Sequence, residues 1–114
     1  MWNTPSAERL AKLPRLYETE SMSLQDKLIH LHFFFGGSDW YAVEFDGQDT
    51  FWGFAILNGD NLNAEWGYFS LQELQSITIG GIEIDCELEE HWQVRPASQV
   101  EKINQANGWP FETA

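Results

Sequence analysis

Residues 27–69 read KLIHLHFFFGGSDWYAVEFDGQDTFWGFAILNGDNLNAEWGYF, and this stretch decides the fold. Apolar and aromatic residues alternate in short runs here. Gly36-Gly37-Ser38, Asp46-Gly47 and Asn58-Gly59-Asp60-Asn61 separate the runs. Alternation with a period of two predicts strands, and Asp-Gly or Asn-Gly between two such runs predicts hairpins. We therefore expect three successive hairpins, which form an antiparallel meander.

A fifth strand is expected outside this stretch, where apolar and acidic residues alternate. Aromatic residues on both faces of the middle strands indicate that each face is at least partly covered. In the first strand Ile29, Leu31, Phe33 and Phe35 are expected on one face, because side chains alternate across a strand. The predicted strands are Lys27–Phe35, Asp39–Asp46, Thr50–Leu57, Glu65–Phe69 and Ile82–Leu88.

Short helices are expected on either side of the meander. Residues 5–13 are bounded by prolines, and a short helix fits between them. Ser70 with Glu73, and Ser98 with Glu101, have the spacing of capping boxes. The first box predicts a helix through residue 77, and the second a helix that Gly108 ends. The sequence predicts one α+β domain over residues 1–114, with two or three short helices packed on one face of an antiparallel sheet of about five strands.

The charge of the chain is strongly negative and unevenly distributed. The 114 residues contain 18 Asp and Glu against 6 Lys and Arg, a formal net charge of −12. Residues 1–36 are balanced, whereas residues 37–114 contain fourteen acids and only two bases, Arg95 and Lys102. Such a field repels nucleic acid and attracts basic protein surfaces. Direct binding of DNA or RNA is disfavoured, because phosphate contacts need Lys and Arg.

The sequence also argues against several locations and cofactors. Cys86 is the single cysteine, so no intrachain disulfide and no cysteine-based zinc site is expected. Residues 1–13 lack the apolar core of a signal peptide, and no apolar run approaches the ~20 residues of a membrane span. We expect a cytoplasmic protein that does not contact membranes, is a monomer or small homo-oligomer, and uses no cofactor.

One run of the sequence resembles a known family. Residues 65–74 read EWGYFSLQEL, and three further pieces match in order: LPRLYETE at 13–20, WYAVEFD at 40–46 and FWGF at 51–54. This ordered set resembles a family of small bacterial proteins that is catalogued as a domain of unknown function and is common on plasmids and other mobile elements. The resemblance implies a plasmid or phage setting. It implies no activity, because the family has no established mechanism.

Alternating acids are the main candidate for a binding surface. One face of the last strand would carry a row of acids, with consecutive members about 6.6–6.8 Å apart. The row consists of Glu83, Asp85, Glu87 and Glu89, and Glu90 extends it. Adjacent phosphates of one DNA strand lie ~3.4 Å apart along the axis, so the row has about half that charge density. The alternative interpretation is a solvated edge strand, whose charges prevent edge-to-edge aggregation.

Aromatic residues and two glutamates form a second candidate site. Paired carboxylates perform acid–base chemistry when one lies in an apolar pocket, and Glu44 with Glu65 is the candidate pair. Sequence order alone does not bring them together, and Glu44 shares its expected strand face with Trp40. The residues of this candidate pocket are Trp40, Glu44, Trp52, Glu65, Trp66 and Tyr68.

Other polar residues fit structural roles better than chemical ones. His30 and His32 have a spacing that can hold a metal, but nothing places His91 beside them as a third ligand, so no metal site is expected. Aspartates beside glycines are explained by turn chemistry rather than by calcium binding. Cys86 is expected as a buried apolar residue rather than a nucleophile.

These observations favour a non-catalytic interaction protein of a mobile element. A more specific version of this hypothesis is an inhibitor that mimics nucleic acid and blocks a basic groove, such as that of a host defence nuclease. The alternative is a small ligand-binding or hydrolytic domain that uses the aromatic pocket with Glu44 and Glu65. A third hypothesis is a structural or oligomeric accessory protein.

Overall fold

A computed structural model describes residues 1–110. It confirms the α+β class: a five-stranded antiparallel sheet with three short helices. The helices are α1 (Ala7–Ala11), α2 (Leu71–Ser76) and α3 (Glu101–Asn107), with two 3-10 turns at Leu24–Asp26 and Ala97–Gln99. The strands are β1 (Leu28–Ile29), β2 (Leu31–Phe35), β3 (Ser38–Phe45), β4 (Thr50–Ile56), β5 (Glu65–Ser70), β6 (Thr78–Ile79), β7 (Ile82–Glu83), β8 (Asp85–Cys86) and β9 (Arg95–Pro96).

The main sheet has the order β5-β4-β3-β2-β8, and every neighbouring pair is antiparallel. Strands β2 to β5 follow one another along the chain, which confirms the meander. Asp46 fixes the turn between β3 and β4, because one carboxylate oxygen accepts hydrogen bonds from the amides of Gln48, Asp49 and Thr50 at 2.8–3.0 Å. These bonds lower the pKa of Asp46. None of the helices in residues 1–110 has the length and apolarity to cross a membrane.

Both faces of the sheet are covered, so the expectation that helices pack on one face only is wrong. We call the face that packs on α1 and α2 the first face; its buried centre includes Leu13, Phe33 and Leu74. The opposite, second face packs on the 3-10 turn at 97–99 and on α3, through residues such as Ile103. Burial of a large apolar side chain contributes about 1.5–3 kcal/mol, and the aromatic strands provide many such side chains on each face.

The first strand is interrupted at His30, which the sequence did not predict. Ile29 lies in the core of the second face, whereas Leu31 and Phe33 lie in the core of the first. The uninterrupted alternation expected over 27–35 is therefore wrong. Residues 28–29 pair with β9 and residues 31–35 with β3, so the two parts have different partners.

A bulge in β3 changes the direction of the side chains that follow it. Ala42 pairs with Gly53 and Glu44 with Trp52, so Val43 is an additional residue in β3. A Cβ at Gly53 would lie 1.8 Å from the backbone oxygen of Tyr41, so only glycine fits there. Beyond the bulge, Glu44 lies on the second face, whereas Trp40 packs on the first. The prediction that both share one face is wrong.

The continuous strand predicted over residues 82–88 is also absent. β7 forms a hairpin with β6, Ile84 interrupts the strand, and β8 pairs with β2. Ile84 and Cys86 are buried as expected, but Ile82 and Leu88 are exposed.

One of the two predicted capping boxes begins a helix. Ser70 caps α2, and its hydroxyl accepts a hydrogen bond from the amide of Glu73 at 3.2 Å. Ser98 instead lies within a 3-10 turn, and α3 begins at Glu101 without a side-chain cap. Gly108 ends α3 in the left-handed conformation with φ 70°, as predicted.

Candidate functional site

A cavity of about 520 Å³ opens on the second face beside β5. The pairing Glu44–Trp52–Tyr68 crosses three adjacent strands, which brings these three side chains together on one face. We call this cavity the aromatic cleft. Its lining residues are Tyr17, Glu20, Met22, Ser23, Leu24, Lys27, Glu44, Trp52 and Tyr68.

The other predicted pocket residues lie elsewhere. Trp40 and Glu65 pair with the same residue of β4, Ala55, and so project from the first face. Glu65 is exposed there. Glu44 and Glu65 therefore project from opposite faces of the sheet and do not form a carboxylate pair. Trp66 lies on the second face next to the cleft, where its ring stacks on Trp52 at 5.3 Å.

Glu44 and Lys27 are the two buried charged groups of the cleft. They are 4% and 5% exposed, and Thr19 joins them. Glu44 accepts hydrogen bonds from the amides of Tyr17 at 2.9 Å and Thr19 at 3.0 Å, and from the Thr19 hydroxyl. The Lys27 ammonium donates to the carbonyl and hydroxyl oxygens of Thr19 and lies 5.2 Å from the ring centre of Trp52. Each buried charge thus has polar partners, which burial requires.

Two exposed tyrosines form the rim of the cleft. Tyr17 has a φ of 73°, a left-handed conformation that is costly for an aromatic residue. The bonds from Glu44 to residues 17 and 19 hold this turn in place. The Tyr68 hydroxyl donates to that of Tyr17 at 3.5 Å.

Sequence reasoning missed the contribution of residues 16–27 to the site. Tyr17 and Thr19 lie in turns, Lys27 directly precedes β1, and no periodic pattern marks these residues. One signal was present in the sequence. Lys27 is the last base before residues 28–94, which contain many acids but no Lys or Arg.

The composition of the cleft suits a positively charged side chain. Aromatic faces attract cations and pack on the methylene groups of Lys and Arg. Glu20 and Glu44 outnumber Lys27 among the charged lining residues, so the local charge is negative. Glu44 Oε1 accepts one hydrogen bond and retains a second acceptor position.

The acids near residue 85 are mostly bound within the chain, and the single strand that was predicted to carry them as a row is interrupted. Glu83 pairs with the amino group of Met1 at 2.9 Å, and Glu89 pairs with Lys12 at 3.2 Å. Asp85 accepts hydrogen bonds from the amides of Asn3 and Cys86. Glu87 bonds His32, and Glu90 lies exposed in a turn.

His32 is nearly buried and bonds two carboxylates. Its Nε2 lies 2.7 Å from Asp39 Oδ1, and its Nδ1 lies 2.6 Å from Glu87 Oε1. The ring stacks on Tyr41 at 4.6 Å, and Lys102 approaches the second oxygen of Asp39 at 3.0 Å. Burial raises the pKa of Asp39, but the bonds to His32 and Lys102 outweigh it, so that pKa lies below the ordinary value. Burial raises the pKa of Tyr41.

The remaining histidines and the cysteine have separate environments. His30 lies between β1 and β2, where burial lowers its pKa, and His91 is exposed. Within residues 1–110 no group of three or more His, Cys, Asp or Glu is arranged to hold a metal ion. Cys86 is 1% exposed, and burial raises the pKa of its thiol to about 11, which opposes formation of a thiolate.

All six Lys and Arg side chains make contacts within the chain. Arg9 and Lys27 are buried, Lys12 and Lys102 form ion pairs, and Arg95 stacks on Trp92 at 4.4 Å. The guanidinium of the remaining base, Arg15, donates to the carbonyl oxygen of Leu13 at 3.5 Å. Lys12, Arg15 and Lys102 remain exposed, so the described surface carries a large excess of negative charge but is not of one sign.

In comparisons with protein-family models, curated proteins and solved structures, the chain has no match. The resemblance of residues 65–74 to the mobile-element family stays a prediction.

Proposed function

We propose that this chain is a non-catalytic binding protein whose partner presents a basic protein surface. The observation that supports this most directly is that the few Lys and Arg side chains all have contacts within the chain. Six Lys and Arg side chains face eighteen acids, and each of the six is buried, paired, stacked or bonded to a carbonyl. A surface with a large excess of negative charge steers an oppositely charged partner into encounter and disfavours binding to nucleic acid.

The acids around residue 85 are not the centre of this surface. Glu83, Asp85, Glu87 and Glu89 hold the segment 1–12 and His32 in place. Other exposed acids, such as Glu20, Glu65 and Glu90, are distributed over the molecule. In the plasmid or phage setting that the resemblance implies, the basic groove of a defence nuclease in the bacterial cytoplasm is one surface of the required charge.

The alternative function, hydrolysis by a carboxylate pair, has less support. Glu44 is bound by three donors of the turn at 17–19, which explains its burial structurally, and Glu65 projects from the other face.

The proposed function is tested by capture and reconstitution. The chain is used as bait in a lysate of its bacterial host, and the captured protein is then purified and titrated at low and at physiological salt. We expect a basic partner whose affinity for this chain falls steeply with added salt. Duplex DNA should compete with this chain for the basic surface of the partner. A partner that binds with equal affinity at both salt concentrations, or that DNA does not displace, contradicts the proposal.

A further inference from the structure

The outer edge of β5 has no partner among the described residues. β5 is the last strand of the sheet and pairs only with β4. Alternate residues of an edge strand direct their N–H and C=O groups away from the sheet. Within residues 1–110, no backbone or side-chain group outside the β4 ladder bonds the backbone of residues 65–69. This edge is therefore a template for one more strand.

The opposite edge of the same sheet is covered. Beside β8, the Trp2 amide donates to the Ile84 carbonyl at 3.4 Å and the Asn3 amide to the Asp85 carboxylate at 3.1 Å. The Arg9 guanidinium donates to the Glu87 carbonyl at 2.6 Å. Within the part of the chain that the structure describes, one edge of the sheet is thus covered and the other is not.

β5 also has few of the features that normally prevent pairing at an edge. Its sequence is Glu-Trp-Gly-Tyr-Phe-Ser, with one charged residue at its first position and with no Lys, no Pro and no bulge. Proteins protect exposed edges with these features because an unprotected edge pairs with other chains. At the centre of β5, a Cβ on Gly67 would meet no atom within 4 Å, so the glycine does not serve internal packing.

We propose that the edge of β5, together with the aromatic cleft, binds an extended cationic segment of the partner protein as a sixth strand. This proposal rests on the proposed function and gives it a location. Strand addition supplies affinity through backbone hydrogen bonds, and specificity comes from pockets for alternate side chains.

The cleft lies where an alternate side chain of the added strand would project. Tyr68 projects from β5 on the second face, next to Trp52 of β4. Residues directly opposite each other on paired strands have Cβ atoms about 4.5–5.5 Å apart, so the residue opposite Tyr68 reaches the cleft. A Lys or Arg there would place its methylene groups on Tyr68 and Tyr17 and its charge near Glu20.

Charge selects the partner over a second copy of this chain. A symmetric pair of β5 strands would bring together two molecules of formal net charge −12 and would place no cation in either cleft. Repulsion between like net charges opposes such a dimer. A cationic segment relieves the repulsion and provides the missing charge.

The test uses two synthetic peptides of equal charge. The first alternates Lys and Thr, and the second is identical except that all of its backbone nitrogens are methylated, which removes the hydrogen-bond donors of both edges. We expect the first peptide to bind about tenfold or more tightly than the second, because several backbone hydrogen bonds are lost. Amide exchange should slow in residues 65–70 only with the first peptide.

Matched variants locate the site. Tyr68→Ala should weaken binding of the first peptide severalfold, because it removes the aromatic contact in the cleft while the backbone hydrogen bonds of β5 remain. Trp2→Ala removes an aromatic side chain that is 78% exposed near the β6–β7 hairpin, and it should leave binding unchanged. Amide exchange of the free variants verifies that the sheet is intact.

The outcomes separate the two proposals. Equal, salt-dependent binding of both peptides would retain the acidic binding protein and overturn the β5 site. Absence of binding by either peptide, together with failure to capture a basic partner, would overturn both proposals. Protection of the β5 amides that rises with protein concentration in the absence of peptide would assign the edge to a second copy and also overturn this inference.

Discussion

At Glu44, a carboxylate that is 4% exposed accepts hydrogen bonds from two backbone amides and one hydroxyl. Glu44→Gln keeps the shape of the side chain but replaces one acceptor oxygen with a donor that faces other donors. Because hydrogen bonds to charged groups contribute about 1.5–3 kcal/mol, we expect the free energy of unfolding to fall by about that amount.

Urea denaturation measures this effect, and Glu65→Gln is the control. Glu65 is exposed on the edge strand β5, and its substitution should change stability by less than about 0.5 kcal/mol. Equal effects of the two substitutions would show that Glu44 does not hold the turn at residues 17–19.

The contribution of Asp39 to stability, through its bonds to His32 and Lys102, should depend on pH. The pKa of Asp39 is lower in the folded protein than its ordinary value, so this group stabilises the fold above the unfolded pKa of about 3.9. That stability is lost as the pH falls through the folded pKa, because the group then binds a proton in both states.

The comparison of wild type with Asp39→Asn isolates this residue from the other acids. The difference in their free energies of unfolding should be largest near neutral pH and should shrink as the pH falls below the unfolded pKa. Denaturation curves at a series of pH values provide the measurement. A difference that is constant with pH would exclude a contribution from the Asp39 charge.

At the scale of elements, helix α2 depends on the turn that precedes β4. The Ser70 hydroxyl accepts from the Glu73 amide and donates to Asp49, and Asp49 also accepts from the Gln72 amide at 2.7 Å. Ser70→Ala should reduce stability by about 0.5–2 kcal/mol through loss of the cap. Thermal or urea unfolding tests this against Ser21→Ala, an exposed serine whose loss should have almost no effect.

The elements that could be predicted from sequence are those with local causes. The meander followed from turn residues such as Asp46-Gly47 and from alternating aromatics, and the α2 cap followed from the Ser70–Glu73 spacing. The break at His30 and the bulge at Val43 could not be predicted, because they arise from pairing with distant strands and from packing on two cores. A bulge reverses the side-chain direction of every later residue in its strand, so simple alternation places Glu44 on the wrong face.

The candidate site was only partly predictable for the same reason. Glu44, Trp52 and Tyr68 were among the predicted pocket residues, but the same prediction included Trp40 and Glu65, which lie on the other face of the sheet. Lys27 and Tyr17 enter the cleft from irregular chain, where sequence carries no periodic signal.

For the whole molecule, short ion pairs compete with long-range repulsion. Substitution of Glu83, Asp85, Glu87 and Glu89 by their amides would change the formal net charge from −12 to −8, which relieves repulsion. It would also weaken contacts of 2.6–3.2 Å to the N-terminal amine, Asn3, His32 and Lys12, because an amide oxygen still accepts hydrogen bonds but carries no charge.

We expect the local contacts to outweigh the repulsion, so the four-site variant should be less stable than wild type. Charges farther apart than about 8 Å are largely screened at physiological salt, and exposed pairs contribute about 0–1 kcal/mol each. The total loss should be about 1–3 kcal/mol, with the half-buried Glu87–His32 bond contributing most. Denaturation at physiological salt measures it, and a variant more stable than wild type would show that repulsion dominates.

The glycine at residue 53 has a consequence for how this sequence can diverge over generations. Its missing Cβ makes room for the Tyr41 carbonyl at the bulge, and the bulge turns Glu44 toward the cleft. Replacement of Gly53 would favour loss of the bulge and would carry Glu44 to the other face, although β4 would keep its length and composition. Descendants that retain the cleft should therefore retain glycine at 53 whenever they retain glutamate at 44, and lineages that lose one should become free to lose the other.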